Sequence, residues 1–400
     1  MQPVVNRGQS AVSAYLAGFV LIGVVLSTAG PALSHLRDRM GTDDGGIAWI
    51  FVGSSLGYIV GSSLSGRLLD RGHGHRWWAI AMAVNTLGIV AIAAAPNLWL
   101  LVLAFVVLGL ASGLSDVSGN TLVMWSRPDG AGSLLNALHL CFAIGALAAP
   151  LLVNRSIHWF HSLWGVAVVV GAIALIAGSV LLRRPAPSRS RLDTVARSAA
   201  GGARRTQVLL IAAFFFAYVA LEAGFAGWIH TYVEQIGYGD ATTATLVVTV
   251  FWGGFALGRL LSIGIARVVS PGWIVAVSMV VAVLASVLFA MFPDGGPMLW
   301  VVTFLFAVSI APQYASMMAF AEAHLALSGK NTSVLVAASG VGGLLMPWSL
   351  GQLFDGVGPE SLPPVMVGCA LVTAVTALVA GRSVLGAQRP PATSMNVPVT

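Results

Sequence analysis

Two carboxylates stand where apolar sequence should exclude them. Asp116 lies in FVVLGLASGLSDVSGNTLVMW, residues 105–125, and Glu222 in LLIAAFFFAYVALEAGFAGWI, residues 209–229. An ionisable group in a long apolar helix is costly and is kept where it binds or moves something. Two chemistries are open to it. A carboxyl in apolar surroundings can exchange a proton near neutral pH. A carboxylate can instead ligate sodium through oxygen. Polar and aromatic neighbours fall at helical spacings. Asn120 follows Asp116 by four residues and shares its face. Asn136 and His139 are three apart, near enough to Asp116 in a folded bundle for His139 to meet it. Tyr218 precedes Glu222 by four, and Trp228 lies beyond it. Aromatic rings beside polar groups suit a sugar, whose face is apolar and whose rim is hydroxylated. Trp228 would stack on the ring, while Asn120, Asn136, His139, Gln313 and Tyr218 would meet hydroxyls.

The elements that must position these groups are long apolar helices. The chain has 400 residues, 57% apolar and 8% charged, against about 25% charged in soluble domains. A soluble enzyme is excluded. Twelve apolar stretches are long enough to cross about 30 Å of hydrocarbon. They lie near 11–31, 47–68, 77–95, 98–125, 132–153, 162–182, 207–234, 242–266, 272–292, 298–323, 332–354 and 363–383. The expected class is an all-α membrane protein of twelve transmembrane helices. The first stretch is read as an uncleaved span, since its apolar run is about 20 residues and eleven more follow.

The net charge of +6 does not point to nucleic acid. With the N-terminus inside, 17 of the 20 Lys and Arg residues fall in inner segments, and only Arg37, Arg39 and Arg155 fall outside. That is the positive-inside pattern, with both termini cytoplasmic. Cys141 and Cys369 both lie within spans and suggest neither a disulfide nor a metal site. An intramembrane enzyme would need a nucleophile with its base, and no placed Ser or Cys accompanies His139 and Asp116. No cofactor or metal is expected beyond a coupling proton or sodium ion. The expected partners are a small solute and the lipid bilayer, with the chain a monomer in the plasma membrane. The preference for Arg over Lys, 19 to 1, fits a GC-rich bacterial genome.

The polar segment 183–206 divides the chain into 1–182 and 207–400, six spans each. The halves read as a repeat. One offset of 197 residues superposes Gly57, Gly61, Pro96, Gly145 and Pro150 on Gly254, Gly258, Pro293, Gly342 and Pro347. It also sets Asp116 opposite Gln313.

Between spans 2 and 3 the chain reads GYIVGSSLSGRLLDRGHGHR, residues 57–76. Gly57, Gly61 and Gly66 are expected to permit close helix contact. Asp70 beside Arg67 and Arg71 is expected to latch the cytoplasmic end in one state. Arg259, near the inner end of span 8, and Glu322, ending span 10, are the other gating candidates. His73 and His75 read as exposed loop histidines.

This loop resembles the signature of the major facilitator superfamily, and the parallel halves with a central linker fit its architecture. The resemblance implies two pseudo-symmetric six-helix bundles with a solute site between them, moved by alternating access. SDVSGN in span 4, NALHLCFAIGALAAPLL in span 5, YVALEAGFAGWIHTY in span 7 and FWGGFALGR in span 8 narrow it further. They are similar to the sugar branch that holds the sodium-dependent glucose transporter-like proteins and the fucose–proton symporter. That resemblance implies proton and sugar handling by Asp116 with Asn120, sugar contacts from Asn136 and His139, and a coupling acid at Glu222. Where the fucose symporter has an acid in span 1, this chain has Ser27 before Pro31. Coupling must then use Asp116 and Glu222, or Asp116 alone. The alternative is a proton-driven drug exporter of the same fold. Such exporters carry a Gly-Pro-x-x-Gly-Gly run in span 5, where this chain reads AAPLLVN.

Overall fold

The computed structural model describes residues 6–126, 131–187, 205–325 and 329–386. All regular structure among the described residues is helical. The first half holds α1 (Asn6–Leu26), α2 (Ala29–Met40), α3 (Asp44–Ile47), α4 (Trp49–Asp70), α5 (Gly74–Ala94), α6 (Leu98–Ser126), α7 (Ala131–Phe160) and α8 (Trp164–Leu182). The second holds α9 (Arg205–Gln235), α10 (Ala241–Ile265), α11 (Pro271–Met291), α12 (Pro297–Ile310), α13 (Gln313–Leu325), α14 (Gly329–Gly356) and, after a short 3-10 turn, α15 (Leu362–Gly386). Among the described residues, eleven helical segments and one bent pair are long and apolar enough to cross a membrane, α12 and α13 together forming one of the eleven. Most of the segment 183–206 lies outside the described residues.

The bent pair is the first span. It continues past residue 31 to Met40, with a 41° break between Leu26 and Ala29. Pro31 explains the break. It has no N–H for the carbonyl of Ser27, so the helical ladder cannot run straight through. Span 10 is interrupted more mildly, between α12 and α13 at Pro312, which leaves the Val308 carbonyl without its helical donor.

Helix pairing repeats between the halves. In the first, α4 packs on α6, α1 on α7 and α5 on α8; in the second, α10 packs on α12, α9 on α14 and α11 on α15. The repeated glycines sit at these crossings. Gly57 and Gly61 of α4 face the carbonyls of Val106 and Leu110, and Gly254 and Gly258 of α10 face those of Phe304 and Val308. Gly145 meets the Val20 carbonyl, as Gly342 meets that of Phe216. No hydrophobic force pulls helices together in lipid, so close backbone approach through small residues does that work.

Gly66 departs from expectation. It is exposed, and a Cβ there would meet nothing. The buried face of α4 continues through Ser65, which still bonds Leu114 and Ser118 of α6, and Gly66 points away from it. Gly61→Leu is therefore expected to destabilise the protein by at least about 1–3 kcal/mol through overpacking, while Gly66→Ala changes little. Thermal unfolding of the two purified variants in detergent checks this; equal midpoints would contradict the crossing argument.

The halves meet mainly through α7 with α10, α4 with α14, α2 with α9 and α3 with α14, and more lightly through α2 with α10. The outer surface carries exposed Val168, Leu175, Ile176, Val280 and Leu284. A patch of that kind on a helix bundle is a lipid-facing surface.

Candidate functional site

Asp116 lies in the cytoplasm-side third of span 4 as read from sequence, on α6 where α4 crosses it. Tyr58 of α4 donates a 2.5 Å hydrogen bond to Asp116 Oδ2. Asn120 Nδ2 donates to Asp116 Oδ1 at 3.0 Å and to the Asp116 backbone oxygen at 2.9 Å. The i, i+4 spacing expected to put Asn120 beside the acid does so. Tyr58 was not anticipated. Its signal was available: it stands one residue past the close-contact Gly57, so it must face the neighbouring helix or the space between the halves.

The second half answers with a cation. Arg259 of α10 lies within electrostatic reach of both Asp116 and Glu222, and of His139, Tyr218 and Tyr314. Its guanidinium sits 4.9 Å from the centre of the Phe255 ring, a cation–π placement that orients it. Its buried Nε has no hydrogen-bond partner among the described residues. Read from sequence as a gate, Arg259 instead belongs to the central cluster. The reason is direction: Phe255, one turn earlier, holds the side chain toward the interior and away from the helix end.

Glu222 faces the same space from α9, with the Tyr218 hydroxyl beside its carboxylate. Asp116, Asn120, Tyr58, His139, Glu222, Arg259 and Tyr314 each keep partial exposure. They come from α4, α6, α7, α9, α10 and α13, so the space they line lies between the halves. Two carboxylates opposed to one guanidinium make a site that can bind hydroxyl groups and also hold or exchange a cation.

Other sequence-derived site residues sit elsewhere. Trp228 is fully buried, donates from Nε1 to the Pro347 carbonyl at 2.8 Å and packs on Phe354. It is not placed to stack on a solute. The close packing of α9 on α14 explains this, because it brings the Pro347 carbonyl within reach of the indole N–H. Trp228→Phe is thus expected to cost about 1 kcal/mol of stability and leave solute KM unchanged. Thermal unfolding together with transport kinetics checks it; a raised KM without loss of stability would restore a solute contact.

Gln313 is also fully buried, with Nε2 donating to the Ser309 carbonyl at 3.2 Å. Its neighbour Tyr314 takes the place expected for it, within reach of Asp116. Successive residues on a helix point about 100° apart, and the residue matched by the sequence offset is not the one that faces the acid. Tyr218 is buried too, stacked on Phe214 and tilted against Tyr314. His139 lies edge-on to Phe19 and within reach of Arg259, rather than against Asp116. Asn136 is on α7, but its side chain is outside the described residues. Ser27 Oγ, in the broken first span, is buried without a partner. His75 is buried, not an exposed loop residue: its Nε2 meets Tyr15 Oη at 2.7 Å and its Nδ1 meets the Arg184 carbonyl at 3.0 Å. Asp70, Arg71 and Glu322 are exposed at the helix ends.

At the opposite end of the molecule from Asp70, a polar latch joins the halves. The Asp355 carboxylate accepts from the backbone N–H of Asp44 at 3.0 Å and of Gly45 at 2.9 Å, capping α3 from the other half. Gln352 Nε2 donates to the Gly45 carbonyl at 2.9 Å. The Asp44 carboxylate accepts from Arg37 at 2.8 Å and from Gln235 at 2.7 Å. Ser34 Oγ donates to Glu234 Oε2 at 2.5 Å. The sequence held a trace of this latch in DDGG, residues 43–46, but nothing local pairs that run with residues some 310 positions away. The protein is therefore held in a state closed at the α3 end.

The family model of the Major Facilitator Superfamily matches residues 15–347. The chain belongs to this superfamily. It is a multi-pass membrane transporter of that fold. A protein named sodium-dependent glucose transporter 1 from Danio rerio is 27% identical over 86% of this chain, which spans 64% of that protein's length. One of the same name from Xenopus laevis is 27% identical over 88% of this chain and 76% of its own. A solved bacterial homologue of the human lysosomal transporter Spinster, in an inward-facing and unoccupied conformation, superposes with TM-score 0.74 at 14% identity, covering 98% of this chain and all of that one. At that identity the likeness speaks for the fold alone.

Proposed function

We propose that this transporter moves a monosaccharide or a similar small polyol across the membrane by alternating access, driven by co-transport of a proton or sodium ion. The observation that carries the reading is the cluster of Asp116, Tyr58 and Asn120 facing Glu222 and Arg259 across the interface between the halves. Asp116 and Tyr58 supply acceptor and donor groups for solute hydroxyls, and His139 and Tyr314 flank them. Glu222 and Asp116 are the acids that take the coupling cation, with Arg259 as their fixed counter-charge. The names of its relatives, sodium-dependent glucose transporters, support a sugar and a coupled cation. The arginine distribution supports both termini in the cytoplasm of a bacterial cell. In that orientation the latch around Asp44 and Asp355 closes the outside. The chain works as a monomer in this reading, since each half completes the other's site.

Uptake of labelled hexoses by proteoliposomes, with and without a sodium or pH gradient, tests the proposal. Gradient-dependent accumulation of at least one hexose is the expected result. Extrusion of cationic dyes with no hexose accumulation would replace it with the exporter reading.

A further inference from the structure

Away from the solute site, a crevice of about 770 Å³ runs along the outside of the second half, between α11, α13 and α15. It starts at the first turn of α11, where Ser270, Gly272 and Trp273 line it, and continues to Leu284. That is about 20 Å of helix at 1.5 Å per residue. Its walls are almost wholly apolar, and small residues open it: Gly272 and Ala276 on one side, Ala374, Ala377 and Gly381 on the other. Trp273, Val280, Leu284 and Leu378 line the crevice and are also exposed on the outer surface. The crevice therefore opens to the bilayer and not to the space between the halves.

The repeat shows that this opening is not a general property of the fold. At the 197-residue offset, Gly272 matches His75, Gly381 matches Arg184 and Ala212 matches Tyr15. In the first half those residues close the gap. His75 bridges α5 to the end of α8, bonding the Arg184 carbonyl and Tyr15. In the second half Gly272 and Ala212 stand where His75 and Tyr15 supply the bridging side chains, and space is left. A void of this size in an apolar wall forfeits packing unless something fills it. At its mouth stands Arg382, exposed and with no ion-pair partner among the described residues, near His324 and the first turn of α11. A cation and a helix N-terminus both favour an anion.

We propose that this crevice is a binding site for one anionic phospholipid, its acyl chain along α11 and its phosphate at Arg382. Apolar length and charge are matched to such a molecule together, and basic pockets between membrane helices recognise such headgroups. A zwitterionic lipid would bring its own cation to the same mouth and lose the charge match.

Native mass spectrometry of the full-length protein, released from nanodiscs of equal phosphatidylcholine and phosphatidylglycerol, tests this. One retained phosphatidylglycerol is expected, favoured at least about tenfold over phosphatidylcholine. Arg382→Glu should abolish that preference, and Ala377→Trp should displace the lipid by filling the crevice. If the filled variant does not fold, the Arg382→Glu comparison decides alone. Thermal unfolding with inorganic phosphate in detergent separates a lipid site from a simple anion site, and no shift is expected. Equal retention of both lipids, no retained lipid, or a phosphate shift as large as that given by phosphatidylglycerol would each overturn the proposal.

Discussion

Asp116→Asn is expected to reduce coupled uptake to passive equilibration while solute exchange across the membrane continues. The substitution keeps the shape of the side chain and an oxygen for the Tyr58 hydroxyl, now 2.5 Å away. It removes the charge that faces Arg259 and the ability to take a cation. Accumulation above the external concentration should vanish, and counterflow of labelled against unlabelled sugar should remain. Tyr58→Phe separates binding from coupling. It deletes a hydrogen bond to a charged group, a loss of about 1.5–3 kcal/mol. That corresponds to roughly 10–100-fold in kcat/KM with the dependence on the gradient intact. Full concentrative uptake in both Asp116→Asn and Glu222→Gln would remove the acids from the coupling role.

Asp355→Ala is expected to shift the protein toward the state open at the α3 end. The two backbone N–H groups that Asp355 accepts from belong to the other half, so these bonds break whenever the halves part there. In the open state the same groups are solvated. Only the closed state loses stability, by about 1–2 kcal/mol for two bonds to an exposed carboxylate. That is roughly a 5–30-fold change in the ratio of the two states. The Arg37–Asp44 ion pair lies within one half and survives the opening. Distances between spin labels at Asp38 and Glu360, in a background without Cys141 and Cys369, read the change directly. An unaltered distance distribution would show that the latch follows the closure and does not hold it. Because the shift acts on conformation, exchange kinetics should change while the order of preference among sugars does not.

Gly61 illustrates what could be read without coordinates. Its match to Gly258 at a fixed offset marked a place where two helices touch, and both glycines do face a neighbouring backbone carbonyl. Helix length, the charge bias of the loops and the repeat are all local or periodic properties, so composition and spacing carry them. The i, i+4 relation of Asp116 and Asn120 is equally local, and the structure keeps it. Glu222 and Asp116 declared themselves because a carboxylate within an apolar helix is improbable without a task.

Other assignments depended on rotation about helix axes and on residues far apart in the chain. On span 10, Tyr314 faces the acid and Gln313 is hidden in the packing. Pro347 supplies the carbonyl that fixes Trp228 in the core. Arg259 reaches the acids because Phe255 directs it there. The latch joins Asp44 to Asp355 and Gln235, and no pattern in either segment names the other. The sequence alone thus determined that this chain crosses the membrane in repeated apolar helices and buries two acids among them. Which side chains face those acids, and which end of the molecule is shut, were decided only by tertiary structure. Helix identity follows from a period, whereas a binding site follows from the phase between helices, and that phase is set by packing at contacts distant in sequence.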